Sequence, residues 1–277
     1  MIVIDSHTAM FVAVAGNKST NGVYFYNAMF EKLGINAVYV SASTTSIRGL
    51  KDGLQCLGIR GASIASPYKR EVAQICDELR PFAKAAGSVN SIKCAAGPVV
   101  IGDNTDVSGM ISVLERHKAL LSGRLKAVIY GSGGVVSSVL LALRHVAPNC
   151  CITIQARNRA RAAQLADQFN VAASDGESAL SCDLFVNATP ISAYEPDRLV
   201  KLTSRANVVL DLLPSQETYP CEEMIAARGH RLIRGFDVYL AQLRDQFSFL
   251  VGTPPEESLL TGLAADRLRT NNTAITR

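Results

Sequence analysis

The segment that most narrows the possible folds runs from Leu125 to His145. An apolar, β-branched stretch, Leu125-Lys-Ala-Val-Ile-Tyr130, passes straight into Gly131-Ser132-Gly133-Gly134 and then into an apolar helical pattern beginning at Val135. A strand feeding a helix through a glycine turn opens a βαβ unit and leaves the N–H groups of the helix start facing outward, where they attract an anion. The first glycine makes the tight turn, and the second lets backbone approach a pyrophosphate. The third small position falls on Val136, bulkier than the Gly or Ala expected for close helix–strand packing. Short β-branched runs alternate with helical spacing along the rest of the chain too. Strands are expected at 10–15, 35–40, 61–66 and 99–101, then at 125–130, 152–156, 183–188 and 207–213. Helices are expected at 46–57, 107–121 and 238–250, and the stretch before Val99 reads as a loop rich in Gly and Ser. This pattern predicts an α/β protein of two lobes around largely parallel sheets, with a cleft between them.

The end of the strand after the glycine turn discriminates between nucleotides. A ribose 2′-hydroxyl is met there by Asp or Glu, a 2′-phosphate by arginine. The sequence reads Gln155-Ala-Arg157-Asn158-Arg159-Ala-Arg161, with no acid until Asp167. NADP is therefore expected over NAD.

Composition excludes other classes. Against 28 Lys and Arg stand 24 Asp and Glu, and the net charge of +4 is dispersed along the chain. With no Trp, nine Phe and eight Tyr, neither a basic stripe nor a base-stacking surface is in view, so no nucleic-acid partner is expected. Charges, Gly or Pro break every apolar run well short of the roughly 18 residues of a membrane span. The start, Met1-Ile-Val-Ile-Asp-Ser-His7, carries no secretory pattern. Seven cysteines without a CxxC pair read as reduced, mostly buried thiols of a cytoplasmic protein. The four histidines lack ligand spacing, so no metal is expected.

Three further strings carry a family resemblance. Gly61-Ala-Ser-Ile-Ala-Ser-Pro67-Tyr-Lys69 resembles the GxNVTxPxK motif of shikimate dehydrogenases, Gly87-Ser-Val-Asn90-Ser their GAVNT, and Gly102-Asp-Asn-Thr-Asp106-Val-Ser-Gly109 their GxNTDxxG. Asn187-Ala-Thr189-Pro190, Asn158-Arg159 and Gly235-Phe-Asp-Val-Tyr-Leu-Ala-Gln242 match later positions of the family. The resemblance covers about residues 10 to 252, in order. The tight segment Gly16 to Gly22 is most similar to the shikimate dehydrogenase-like subgroup.

The resemblance implies a substrate-binding catalytic domain over 1–106, a Rossmann-type NADP-binding domain over 107–236, and C-terminal helices over 237–277 returning to the first lobe. It implies Lys69 and Asp106 as the catalytic pair. Reduction of a ring ketone takes a hydride from a nicotinamide and a proton at the developing alkoxide, which a lysine can supply and an aspartate can orient. Asn90, Gln242, Ser19 and Ser66 are implied as substrate ligands. For the cofactor the implied residues are the turn Gly131, Ser132, Gly133, Gly134 and Val135, then Arg157, Asn158 and Arg159. The segment Ala188, Thr189 and Pro190 joins them, with Leu212 and Gly235. The expected partner is a small cyclic hydroxy-acid, and the expected assembly a monomer or homodimer.

The sequence also departs from the family around the substrate. Ser63 and Ala65 stand where the motif has Asn and Thr, and Ser19 and Thr20 only approximate its paired serines. Val23 stands near an expected hydroxyl, and Leu213-Pro214 replaces a tyrosine. Each lost buried hydrogen bond costs about 1–3 kcal/mol, so shikimate is expected to be held weakly. Quinate or an aminoshikimate is the alternative substrate. A non-catalytic NADP-binding protein is the alternative from another class, and the presence of both Lys69 and Asp106 speaks against it.

Overall fold

The computed structural model describes residues 4–16, 21–95, 98–121, 124–176, 178–216 and 219–275, with side chains as far as Arg269. The chain forms two compact units, Met1–Ser108 with Gln242–Arg277, and Gly109–Ala241.

In the first unit the strands are β1 (Ala9–Ala15), β2 (Ala37–Ser43), β3 (Ile59–Ile64), β4 (Glu78–Leu79), β5 (Ser91–Cys94) and β6 (Val100–Asp103). Between them lie α1 (Asn21–Leu33), α2 (Leu50–Cys56), α3 (Lys69–Ala73) and α4 (Pro81–Ala86), and after β6 comes α5 (Thr105–Arg116), whose residues from Gly109 onward belong to the second unit. The sheet order is β2-β1-β3-β5-β6-β4. Parallel pairs predominate, as the sequence pattern suggests, but β5 runs antiparallel to both β3 and β6. The cause is local: Ala95 N donates to Val99 O at 3.0 Å, closing a short return between β5 and β6, and a short return pairs strands antiparallel. That reversal sets the start of β5 beside the ends of β3 and β6, pairing Ser91 with both Ser63 and Asp103. Residues following β3 and β6 thus meet those preceding β5 at one edge of the sheet.

The second unit is a fully parallel sheet. Its strands are β7 (Lys126–Tyr130), β8 (Cys151–Gln155), β9 (Ala172–Ser174), β10 (Cys182–Asn187), β11 (Ala206–Asp211) and β12 (Arg231–Arg234), in the order β12-β11-β10-β7-β8-β9. The helices are α6 (Val135–Val146), α7 (Arg159–Phe169), α8 (Ile191–Tyr194), α9 (Pro196–Leu202) and α10 (Pro220–Ala227). The strand order reverses direction at β7, so the carboxyl ends of β7 and β10 flank the switch point where such sheets bind nucleotides. Both sheet faces are covered, one by a cluster around Ile129, Leu140 and Leu165, the other by one around Phe185, Leu199 and Ile225. Val136, the bulky third position of the glycine turn, is fully buried in the first of these clusters.

After β12 come α11 (Gly235–Val251), whose residues from Gln242 onward belong to the first unit, and α12 (Glu257–Ile275). In the first unit α1 and α11 bury a set of rings. Tyr26 stacks on Tyr39 with centroids 4.1 Å apart, and Phe247 lies 5.4 Å from Tyr26 and 5.6 Å from Phe30. Each such ring removed from water contributes about 1.5–3 kcal/mol. The same helix therefore has an apolar reason to lie where it does and carries Gln242 and Gln246 with it. Arg267 of α12 stacks over Tyr24 at 4.6 Å and bonds Asn21 Oδ1 at 2.7 Å, fastening α12 to the start of α1.

All seven cysteines are free. They are less uniformly buried than expected, since Cys56 and Cys151 are exposed at a helix end and at the start of a strand. Burial pushes the thiols of Cys76, Cys150, Cys182 and Cys221 up to about 11. No described helix is long and apolar enough to cross a membrane.

Candidate active site

The first unit gathers the polar residues of three motifs at the sheet edge described above. Lys69 opens α3, just past β3; Asn90 immediately precedes β5; Thr105 and Asp106 open α5, just past β6. Lys69 Nζ lies 2.6 Å from Asp106 Oδ2, and the two side chains keep 25% and 14% of their surface. The pair is sheltered yet reachable. Asn90 Nδ2 donates to Asp106 Oδ1 at 2.9 Å and to Thr105 Oγ1 at 3.0 Å, while Thr105 N donates back to Asn90 Oδ1 at 2.9 Å. Asn90 is nearly buried, so both hydrogens of its amide already have partners inside the protein. Gln242 Nε2 donates to the Asp106 carbonyl at 3.4 Å.

Ser66 is exposed and follows β3 at a cis Ser66–Pro67 peptide bond. Ser19 and Thr20 lie outside the described residues. Val23 is half-buried in the first turn of α1, and Ala65 is exposed beside Ser66. Ser63 is not an idle replacement: its hydroxyl bonds the buried Tyr39 hydroxyl, and burial raises the Tyr39 phenol to about 12. Leu213 belongs to the second unit, beyond β11.

In the second unit the glycine turn separates into residues with different tasks. Gly131 has φ +135°, and a Cβ there would lie 2.8 Å from the Ala188 carbonyl oxygen. Only glycine fits. Gly133 is exposed, has no left-handed φ, and a Cβ there would meet nothing within 4 Å. The open space above it lies at the start of α6, whose N-cap Gly134 offers no side-chain cap and whose first turn carries no acid. A helix N-terminus, its dipole and open space suit a pyrophosphate. Ser132 and Val135 are half-buried beside it.

Arg157, Asn158 and Arg159 are exposed just past β8, with no acid in the first turn of α7. Asn158 Oδ1 accepts from Arg161 N at 3.0 Å, so its carbonyl end caps α7 and only its amide hydrogens face outward. The guanidinium groups suit an additional phosphate on a ribose.

The carboxyl ends of β7, β10 and β11 are tied by a network that reading the sequence missed. Asn187 Nδ2 donates to Asp211 Oδ1 at 2.8 Å, Thr189 Oγ1 donates to Asn187 Oδ1 at 2.7 Å, and Leu212 N donates to Asn187 O at 3.0 Å. Burial raises the Asp211 carboxyl, a shift its hydrogen bonds partly oppose. Ala188 N donates to Tyr130 O at 2.8 Å, leaving Ala188 and Thr189 half-buried and Pro190 exposed. At Gly235 a Cβ would lie 2.5 Å from the carbonyl oxygens of both Asp211 and Leu213. This glycine serves close packing of α11 against that loop.

Residues 18–92 match the shikimate dehydrogenase substrate binding domain. A shikimate dehydrogenase-like protein of Haemophilus influenzae is 28% identical over 268 residues, covering 95% of this chain and 97% of its own. A shikimate dehydrogenase (NADP(+)) of Gluconobacter oxydans is 31% identical over 284 residues, covering 97% and 99%. Among solved structures, a shikimate 5-dehydrogenase-like protein superposes with TM-score 0.85 at 27% identity, covering 95% of this chain and 98% of that one. A shikimate dehydrogenase crystallised with NADP+ superposes with TM-score 0.80 at 26% identity, covering 96% and 97%. With near-complete coverage in both directions and the motif residues meeting in space as they do, the chain belongs to the shikimate dehydrogenase family.

Proposed function

We propose that this protein is an NADP-dependent dehydrogenase interconverting shikimate, or a related cyclic hydroxy-acid, with its 3-dehydro ketone, and that it acts on shikimate itself only weakly. The observation that carries the reading is the part-buried Lys69–Asp106 pair at 2.6 Å. A module that only bound nucleotide has no use for it.

NADP, when bound, gives or takes the hydride. The residues of this chain do the rest. Lys69 donates a proton to the oxygen of the ketone as it becomes an alkoxide, and takes it back in the oxidation. Asp106 holds the ammonium through Oδ2, and Asn90 holds Asp106 through Oδ1. Gln242 and Ser66 present their side chains to substrate hydroxyl groups, with Ser19 as the ligand for the carboxylate. The open space at Gly133 receives the pyrophosphate, and Arg159, assisted by Arg157 and Asn158, receives the 2′-phosphate.

Weak shikimate activity follows from Val23 and Ala65, which offer no hydroxyl where the family has one. A binding loss shared by substrate and transition state raises KM more than it lowers kcat. Quinate or an aminoshikimate is the alternative substrate. The free cysteines fit a reducing compartment such as the cytoplasm. The test is NADPH formation with shikimate, quinate and close analogues. Turnover of at least one, with a shikimate KM above the micromolar range, supports the reading. A low-micromolar KM for shikimate, at the tight end of the usual range of about 1 μM to 1 mM, overturns the weak-binding part.

A further inference from the structure

We propose that Gln246 is a positioning residue for the Lys69–Asp106 pair, acting through Ser91 and Asn90; the inference rests on the catalytic reading above. Gln246 lies one helical turn beyond Gln242 on α11 and makes three polar contacts. Its Nε2 donates to the Asn90 carbonyl at 3.2 Å and to Ser91 Oγ at 3.0 Å, and its Oε1 accepts from the Tyr26 hydroxyl at 3.3 Å.

The direction of each bond follows from the last. A carboxamide has one donor end and one acceptor end, and the Asn90 carbonyl, which can only accept, marks Nε2 as the donor and leaves Oε1 to accept from the Tyr26 hydroxyl. Turned over, Gln246 would set its oxygen against the Asn90 carbonyl. A hydroxyl has a single proton. Ser91 Oγ accepts from Gln246 and gives its own proton to Asn90 Oδ1, 2.8 Å away and nearer than Thr105 Oγ1 at 3.3 Å. Thr105 N donates to the same oxygen. Oδ1 is thereby fixed as the acceptor end of Asn90, and Nδ2 is aimed at Asp106 Oδ1. That leaves Oδ2 for Lys69. The chain from Tyr26 through Gln246, Ser91 and Asn90 thus keeps a donor against the catalytic carboxylate. With Asn90 turned over, a carbonyl oxygen would face that carboxylate instead, and Asp106 would have to move. Tyr26 is itself locked by its stack on Tyr39, which makes the far end of the chain rigid.

The experiment compares wild type with Gln246→Leu and Tyr26→Phe in the full chain. The Asn90 side-chain NH2 resonances, followed by nitrogen-15 NMR without substrate, should exchange with solvent at least tenfold faster in Gln246→Leu. Tyr26→Phe, which keeps its ring stack and hence its fold, should move them in the same direction by less. In turnover with the best cyclic hydroxy-acid, Gln246→Leu should lower kcat about tenfold, the scale of a modest misplacement of reacting groups, while KM for NADP+ stays unchanged. Unaltered Asn90 resonances in both variants overturn the proposal. So does a fall in kcat, cofactor affinity and melting temperature together, which marks a purely structural role. If wild type turns over no ring acid, the catalytic reading fails, and the NMR comparison still decides whether Gln246 orients Asn90.

Discussion

Two glycines of one turn should respond oppositely to the same methyl group. In Gly131→Ala the new Cβ lies 2.8 Å from the Ala188 carbonyl oxygen and 3.1 Å from Thr189 Cγ2, on a backbone with φ +135°. The dihedral alone costs an alanine about 1–3 kcal/mol. Relieving the contact means displacing backbone that donates to Tyr130 O, and overpacking of this kind adds about 1–3 kcal/mol. The sum, roughly 2–6 kcal/mol, is a large part of the roughly 5–15 kcal/mol that stabilises an ordinary domain. In Gly133→Ala the methyl meets nothing, and removing a glycine from an unstrained position is neutral to mildly stabilising. On the proposed reading it stands where the pyrophosphate approaches the backbone. Urea unfolding followed by circular dichroism should therefore show Gly131→Ala strongly destabilised and Gly133→Ala close to wild type. Calorimetric titration should show Gly133→Ala losing NADP+ affinity at least tenfold, or about 1.4 kcal/mol. A Gly131→Ala protein of wild-type stability, or a Gly133→Ala protein binding NADP+ as wild type does, refutes this account of the turn.

Three further outcomes are expected. Arg159→Ala should narrow the preference for NADP over NAD by about 1–3 kcal/mol, the scale of a charge-assisted hydrogen bond; parallel titrations check it, and an undiminished preference refutes it. Val23→Ser combined with Ala65→Thr should improve kcat/KM for shikimate, mainly through KM, as steady-state kinetics will read. Burial raises the Asp211 carboxyl above its ordinary 3.8, so the folded state binds that proton more tightly than the unfolded chain, and this contribution to stability is lost as pH rises through the raised value. Asp211→Asn does not titrate, so it should gain stability relative to wild type between about pH 4 and pH 7; a difference that stays constant in urea unfolding at both pH values contradicts the assignment.

What could be read from the sequence followed from local physics. Strands such as β7 and β10 announce themselves by continuous apolar runs, and Gly131 by its place between a strand and a helix. The reversed β5 could not be seen, because four residues following Gly87 and Ser88 look like loop and antiparallel pairing depends on a return made further along. The short β12 is bracketed by Arg231 and Arg234, which hide its apolar centre. Lys69 and Asp106 were legible through their motifs. Their supports were not: Gln246 touches Ser91 across 155 positions of sequence, and nothing local marks a half-buried glutamine on a helix as part of a polar chain. Asn187 and Asp211 end strands that read as apolar, so their mutual bond appears only once the strands are side by side.

On the proposed mechanism Lys69, paired with Asp106, moves the proton in a hydride-transfer reaction. Steady-state kinetics of Lys69→Ala on the best ring acid, beside its NADP+ dissociation constant, test it directly. A general acid–base group contributes about 10²- to 10⁴-fold, so kcat should fall within that range while NADP+ affinity stays at the wild-type value. Wild-type turnover in Lys69→Ala would contradict the claim.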